Sequence, residues 1–194
     1  MSGVNDLKNN KINFIGDPNI RIKEDYLRIL RYIRFFLNYS KKNHDPKIKK
    51  VIKQNLGGIV NLSKERLIDE FKKLILSDGF FNIYKDDFSK NLLLLIFPQL
   101  KNLNVLKKLN KYKKNILEKK DFIFILALLI IDDTDNAEYF LYKYNVSNET
   151  KKRISFLNEF FSKNNNNKKF TKSNLERIFY YNGKSNLIDL IDFY

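Results

Sequence analysis

Apolar residues recur along this chain every three or four positions rather than in alternation, the spacing that gathers them on one side of a helix. Between Ile22 and Tyr39, the positions Ile22, Tyr26, Ile29, Leu30, Ile33, Phe36 and Leu37 keep a period of about 3.6. Arg21, Glu24, Asp25, Arg28 and Arg31 fall between them, so one side is core and the other is charged and available. Gly16-Asp17-Pro18 is a turn signal, and Pro18 disfavours helix at Asp17, so this helix is expected to begin just beyond it.

The same reading divides the rest of the chain. Asp45-Pro46 opens a short helix over 47–54, which Gly57-Gly58 is expected to end. Ser63 is a good N-cap for a helix with Leu67, Phe71, Leu74 and Ile75 as its stripe, closed by Asp78-Gly79. Residues 88–97 are short and very apolar before Pro98, 101–112 amphipathic and basic, and 121–131 apolar nearly all round, as befits a central helix. Helices over 137–144 and 149–161 follow, the second capped by Ser147. Asn164–Asn167 reads as a flexible loop, and amphipathic segments over 172–180 and 187–193 end the chain. There is no internal repeat and no coiled-coil heptad pattern. The fold expected is all-α, a multi-helix bundle in three parts: 1–18 a linker and hinge, 19–78 a first helical domain, 79–194 a helical body and tail.

Composition narrows the chemistry. Of 194 residues, 43% are hydrophobic, with 17 Phe and 11 Tyr, enough for a real core. No cysteine is present, which removes disulfides, thiolate metal sites and cysteine nucleophiles together; the single histidine, His44, cannot build a histidine metal cluster and is expected in a solvated loop. The polar first ten residues do not form a signal peptide, and 122–131 is about half the length of a membrane span, so a reducing cytoplasm and no membrane are expected. The net charge of +15 predicts a polyanionic partner, although abundant Lys, Asn and Ile also follow from AT-rich coding.

Candidate chemistry concentrates at Glu24-Asp25-Tyr26-Leu27-Arg28. On an unbroken helix Glu24 and Arg28 are one turn apart, as are Asp25 and Arg28, so the three side chains would share one patch. Asp25 offers an acceptor and Arg28 a planar donor fork, a combination able to imitate the edge of a nucleic-acid base, while Glu24 could hold the guanidinium in plane. The same trio is also what an ordinary surface ion-pair cluster looks like.

The string Ile12-x-Phe14-Ile15-Gly16-Asp17-Pro18-x-x-Arg21-Ile22-x-Glu24-Asp25-Tyr26-Leu27-Arg28-Ile29-Leu30-Arg31 closely resembles the neck entrance of bacterial class II tRNA nucleotidyltransferases (CCA-adding enzymes) and their poly(A) polymerase relatives. Leu62-Ser63-Lys64-Glu65-Arg66-Leu67-x-x-Glu70-Phe71 resembles the next neck helix, Gly3–Leu7 the end of the preceding linker, and Leu94–Leu100 and Val146–Leu157 are looser echoes in the body. The resemblance implies that 19–78 is the neck, that Asp25 and Arg28 pair with the base of CTP or ATP, and that Glu24 orients Arg28. It makes Gly16, Asp17 and Pro18 a hinge, and tRNA the partner of neck and body, with Lys107, Lys108, Lys111, Lys113 and Lys114 as basic candidates that also fit a merely solvated face.

It further implies that Mg2+ belongs to an α/β catalytic head, which these residues do not include. Asp132-Asp133-x-Asp135 reads as a helix-end loop, with no glycine-rich phosphate loop nearby. The chain is therefore expected to bind no cofactor itself and not to transfer nucleotides alone, working instead with a separately encoded head. A standalone RNA-binding module, the RNA-binding part of a poly(A) polymerase and a decayed gene fragment are the alternatives.

Overall fold

The computed structural model describes residues 10–162 and 170–193, and every regular element among them is helical. The all-α expectation holds. The segments Gly3–Leu7 and Asn164–Asn167 lie outside the described residues. Two compact units can be distinguished: Met1–Pro98 with Leu106–Lys119, and Gln99–Val105 with Lys120–Tyr194. The first contains all of 19–78 and continues beyond it.

In the first unit α1 (Pro18–Glu24), α2 (Arg28–Tyr39), α3 (Pro46–Asn55), α4 (Lys64–Ile75), α5 (Asp87–Ile96) and α6 (Lys111–Leu117) are joined partly by 3-10 turns at Leu56–Asn61 and Phe80–Lys85. Helix α2 is its axis: Ile29, Leu30, Tyr32 and Ile33 are buried, and it packs on α4 and on the Phe80–Lys85 turn, while α1 packs on α3. Phe71 of α4 stacks on Phe97 with centroids 4.1 Å apart. Backbone meets backbone at Gly79: a Cβ there would lie 2.4 Å from the Leu37 carbonyl, and the Gly79 N–H donates to Asn38 Oδ1 at 2.9 Å. Only glycine fits that approach.

Four expectations are corrected. The helix drawn from beyond Pro18 to Tyr39 is two helices, because Asp25 turns extended (φ −156°, ψ 104°). Gly57 and Gly58 do not end α3; they lie inside the 3-10 turn that follows, where a Cβ on Gly58 would fall 2.0 Å from the Tyr26 ring. The basic helix expected over 101–112 is a 3-10 turn at Leu103–Lys108 and then α6, restarted by the Asn110 side chain, which accepts from the Lys113 N–H at 2.8 Å. His44 is buried, not solvated, because Tyr32, Phe36, Asp86, Phe88 and Ser89 surround its ring.

The second unit is built on α7 (Phe122–Ile130), with α8 (Asn136–Lys143), α9 (Asn148–Ser162) and α10 (Lys172–Phe193). Helix α7 is buried on nearly every side and packs on α8 and α9, as its sequence predicts. Two side-chain amides satisfy carbonyls of buried residues: Asn136 donates to Ile130 O at 2.7 Å and Gln99 O at 2.8 Å, and Asn102 donates to Ile131 O. Arg153 joins Asp121 to buried Asp189. The two C-terminal segments run as α10, broken at Gly183 by its φ of 79°. No helix among the described residues is long and apolar enough to cross a membrane.

Candidate functional site

Helix α1 starts where the sequence says it should. Gly16 takes a φ of 86°, the Asp17 carboxylate accepts from the Ile20 N–H at 2.9 Å, and Pro18 occupies the first turn, where its missing N–H costs nothing. Seven residues later the helix stops at Asp25. Its carbonyl accepts from Arg28 N–H at 3.0 Å and its Oδ1 from Leu27 N–H at 3.2 Å, a local turn that short acidic side chains offer in competition with helix. The break changes the geometry of the whole motif.

Glu24 and Arg28 still meet, now across the break. Glu24 Oε2 accepts from Arg28 Nη1 and from Arg21 Nη1, each at 2.6 Å, and Arg28 Nη1 also donates to the Arg21 carbonyl at 2.5 Å. The Arg28 hydrogen bond, helped by Arg21, holds the Glu24 carboxyl below its ordinary value despite a smaller opposing effect of desolvation. Asp25 does not join them. Among the described residues it pairs with Arg66 Nη2 at 3.3 Å and Arg31 Nη1 at 3.6 Å. The acceptor and the donor of the motif are thus on opposite sides of the helix break, each in its own ion-pair set.

A third carboxylate ties the Asp25 set, through Arg31, to the core. Glu70 on α4 is 2% exposed, and its two oxygens take Arg31 Nε at 3.2 Å and Arg34 Nη2 at 2.9 Å, with Lys73 at 3.8 Å. The ionised form is satisfied by guanidiniums from a different helix, so α2 and α4 are held in register by charge as well as by apolar packing. Sequence reading quoted Glu70 and Arg66 only as part of a resemblance. The available signal was Glu70's place one turn after Leu67 and beside Phe71, a carboxylate on an apolar stripe.

Beside this network lies a recess of ≈ 210 Å3. It is lined by Arg21, Arg28 and Arg31 together with Phe14, Tyr32, Phe35 and the Ile12–Ile15 stretch. Complete small-molecule sites run to about 300–1,000 Å3. The recess is therefore sized for one ring of a ligand, with guanidiniums at hand for stacking, hydrogen bonds or negative charge.

The five candidate lysines fall on one short stretch of the first unit. Lys107 and Lys108 end the 3-10 turn and Lys111, Lys113 and Lys114 belong to α6; all are exposed except half-buried Lys114, whose Nζ is 3.6 Å from Glu118. In the second unit Asp132 closes a turn by accepting from Thr134 Oγ1 at 2.6 Å, and among the described residues no group of three or more acidic or histidine side chains converges as a metal site would require.

Residues 44–103 match the family described as "Probable RNA and SrmB- binding site of polymerase A". Over 82% of this chain and 40% of the relative, the sequence is 32% identical to the CCA-adding enzyme of Lactobacillus helveticus. The chain belongs to the CCA-adding enzyme and poly(A) polymerase family, as its neck-body region. Within that family it is 43% identical to human mitochondrial CCA tRNA nucleotidyltransferase 1 over 40% of this chain and 18% of the human protein. It is 33% identical to poly(A) polymerase I of Haemophilus influenzae over 50% of this chain and 22% of that protein. The chain thus spans less than half the length of these curated relatives. His44, the buried histidine that composition alone had left in solvent, is where the family match begins.

Proposed function

We propose that this chain is the nucleotide-selecting and RNA-binding part of a tRNA nucleotidyltransferase, acting with the family's catalytic head. Asp25 and Arg28 read the base of the incoming CTP or ATP, one accepting and the other donating. Glu24 fixes the Arg28 plane. The observation that carries this reading is the 2.6 Å Glu24–Arg28 pair held across a helix break, beside an arginine- and aromatic-lined recess sized for a ring.

The break gives the reading a mechanism. A base edge is read by a donor and an acceptor at fixed separation, and side chains joined directly to each other would have to be pulled apart first. Here Asp25 is held by Arg66 and Arg31, and Arg28 by Glu24, so each is pre-oriented independently. Gly16, Asp17 and Pro18 serve as the hinge at which the head meets this surface. The lysines from Lys107 to Lys114 supply non-specific attraction to the RNA backbone. Mg2+ belongs to the head; no residue of this chain is assigned to it.

The test is incorporation of CTP and ATP into tRNA lacking its 3′ CCA, using the chain, a candidate head, and both. Triplet addition only by the pair is the expected result. A head that completes the triplet alone at full rate contradicts it. The match to a polymerase A region and to a poly(A) polymerase favours a second reading, in which the same surface serves adenylate addition to RNA ends. ATP-only extension of RNAs other than tRNA by the pair would select that reading.

A further inference from the structure

His44 sits 8% exposed at the entry to α3, away from the arginines, yet its hydrogen bonds lead to the recess. Its Nε2 lies 2.7 Å from Asp86 Oδ2, and its Nδ1 lies 2.8 Å from the Tyr32 hydroxyl. Asp86 is itself fixed, since the same Oδ2 accepts from the Ser89 N–H at 3.2 Å and caps α5. A carboxylate can only accept, so it selects the Nε2–H tautomer and leaves Nδ1 to accept from the Tyr32 O–H. Stacking on Phe36, with centroids 3.4 Å apart, and an edge contact with Phe88 at 4.7 Å leave the imidazole one orientation. Burial, with the charges of Asp86 and Asp45, pushes the Tyr32 hydroxyl well above its ordinary value, which keeps it a donor.

The other face of Tyr32 carries a strap. Its ring lies parallel to that of Phe14, 5.5 Å away at 11°. Residues 12–15 form no helix, and they line the same recess as Arg21, Arg28 and Arg31. Upstream of them, Lys41 N–H and Ser40 Oγ reach the Asn10 carbonyl at 3.4 and 3.3 Å, both long for hydrogen bonds.

We infer that His44 and Asp86 are positioning residues for the recess: anchored on the cap of α5, they lock Tyr32, and the Tyr32 ring holds Phe14 and its strap as part of the wall of the recess that the three arginines also line. The importance of that wall for nucleotides rests on the proposed function. The lock itself does not. Its consequence is that changes at the α5 cap reach the recess through two hydrogen bonds and one ring stack, without touching any ligand.

The experiment compares the wild-type chain with His44→Phe, which keeps a ring against Phe36 and removes both hydrogen bonds, and with Tyr32→Phe, which keeps the Phe14 stack and removes one. Amide exchange at residues 12–15 and the Phe14–Tyr32 ring NOE are read without ligand. Strap exchange is expected to quicken by roughly threefold to tenfold, the scale of one hydrogen bond, with the protection of α4 unchanged. Strap exchange and NOE unchanged in a folded His44→Phe chain would overturn the proposal. Should that variant not fold, an unchanged strap in Tyr32→Phe overturns it equally. CTP and ATP titrations then separate the two readings. A loosened strap with weaker nucleotide binding supports both, whereas a loosened strap in a chain that never binds nucleotide keeps the lock and removes the nucleotide reading.

Discussion

The two units solve the same problem, burying helices, with opposite materials. Helix α7 of the second unit is apolar almost throughout, and half-buried Asn102 and buried Asn136 satisfy carbonyls at its end. Around α2 the first unit mixes its core with charge: Glu70 under Arg31 and Arg34, and His44 between Tyr32 and Asp86. Buried ion pairs are weak contributors to stability, because desolvation offsets most of their attraction. The second unit also has such a pair, Arg153 with buried Asp189; in the first, Glu70 and His44 hold Arg31 and Tyr32, which line the recess. The second unit is a body; the first is an instrument.

If that contrast is right, the largest stability effect belongs to the body. Leu126→Ala should lower stability by about 2–5 kcal/mol, the cost of truncating a fully buried leucine, while leaving the protection of α2 amides intact. Thermal unfolding with hydrogen exchange checks it, and equal loss of protection in both units would erase the distinction. Gly79→Ala should cost the first unit about 1–3 kcal/mol, since its Cβ meets the Leu37 backbone, which cannot step aside. Denaturant midpoints measure this.

Glu70→Ala sharpens the comparison further. Breaking a fully buried pair costs about 3–5 kcal/mol. Arg31 and Arg34 keep 39% and 23% of their side-chain surface in water and can turn outward, so about 1–2 kcal/mol is expected here. The larger change should be in function: Arg31 loses its anchor, and nucleotide selection by the reconstituted pair should loosen.

Acid is the mildest probe. Burial raises the Asp86 carboxyl, but hydrogen bonds from His44 and Ser89 outweigh it, and the folded value is below the ordinary one. A depressed carboxyl contributes stability that is complete above the unfolded value of about 3.9 and lost as pH falls through the folded value. Asp86→Asn should therefore lose that contribution at neutrality and flatten the fall of stability below about pH 4. In the second unit burial raises the Asp121 carboxyl, but Arg153 and backbone N–H groups together outweigh it and lower the value; its side chain is 54% exposed, so Asp121→Asn should matter less.

Much of the fold was legible where burial alone decides it. The apolar run of α7, the Ser63 cap (Arg66 N–H to Oγ, 3.3 Å) and the Ser147 cap (Thr150 N–H to Oγ, 3.3 Å) needed no tertiary information. The break at Asp25 was not legible: Ile22, Tyr26, Ile29 and Ile33 keep helical phase through it, and no glycine or proline marks it. What ends α1 is a local competition, the Asp25 carboxylate and carbonyl taking N–H groups that a continuous helix would use differently. Nor does periodicity name partners. It could place Glu24 near Arg28, but not Asp25 against Arg66, 41 residues away, nor His44 against Asp86, 42 residues away.

The central claim is that Asp25 and Arg28 choose the nucleotide from independent anchors. The direct measurement is the ratio of CTP to ATP incorporated at each position of the tRNA 3′ end by the chain reconstituted with its head, for wild type, Asp25→Ala and Arg28→Ala. Both variants should fold with wild-type thermal midpoints to within about 1 kcal/mol of stability, as half-exposed ion pairs allow, and both should scramble the order of addition. Faithful CCA addition by either folded variant would contradict the account.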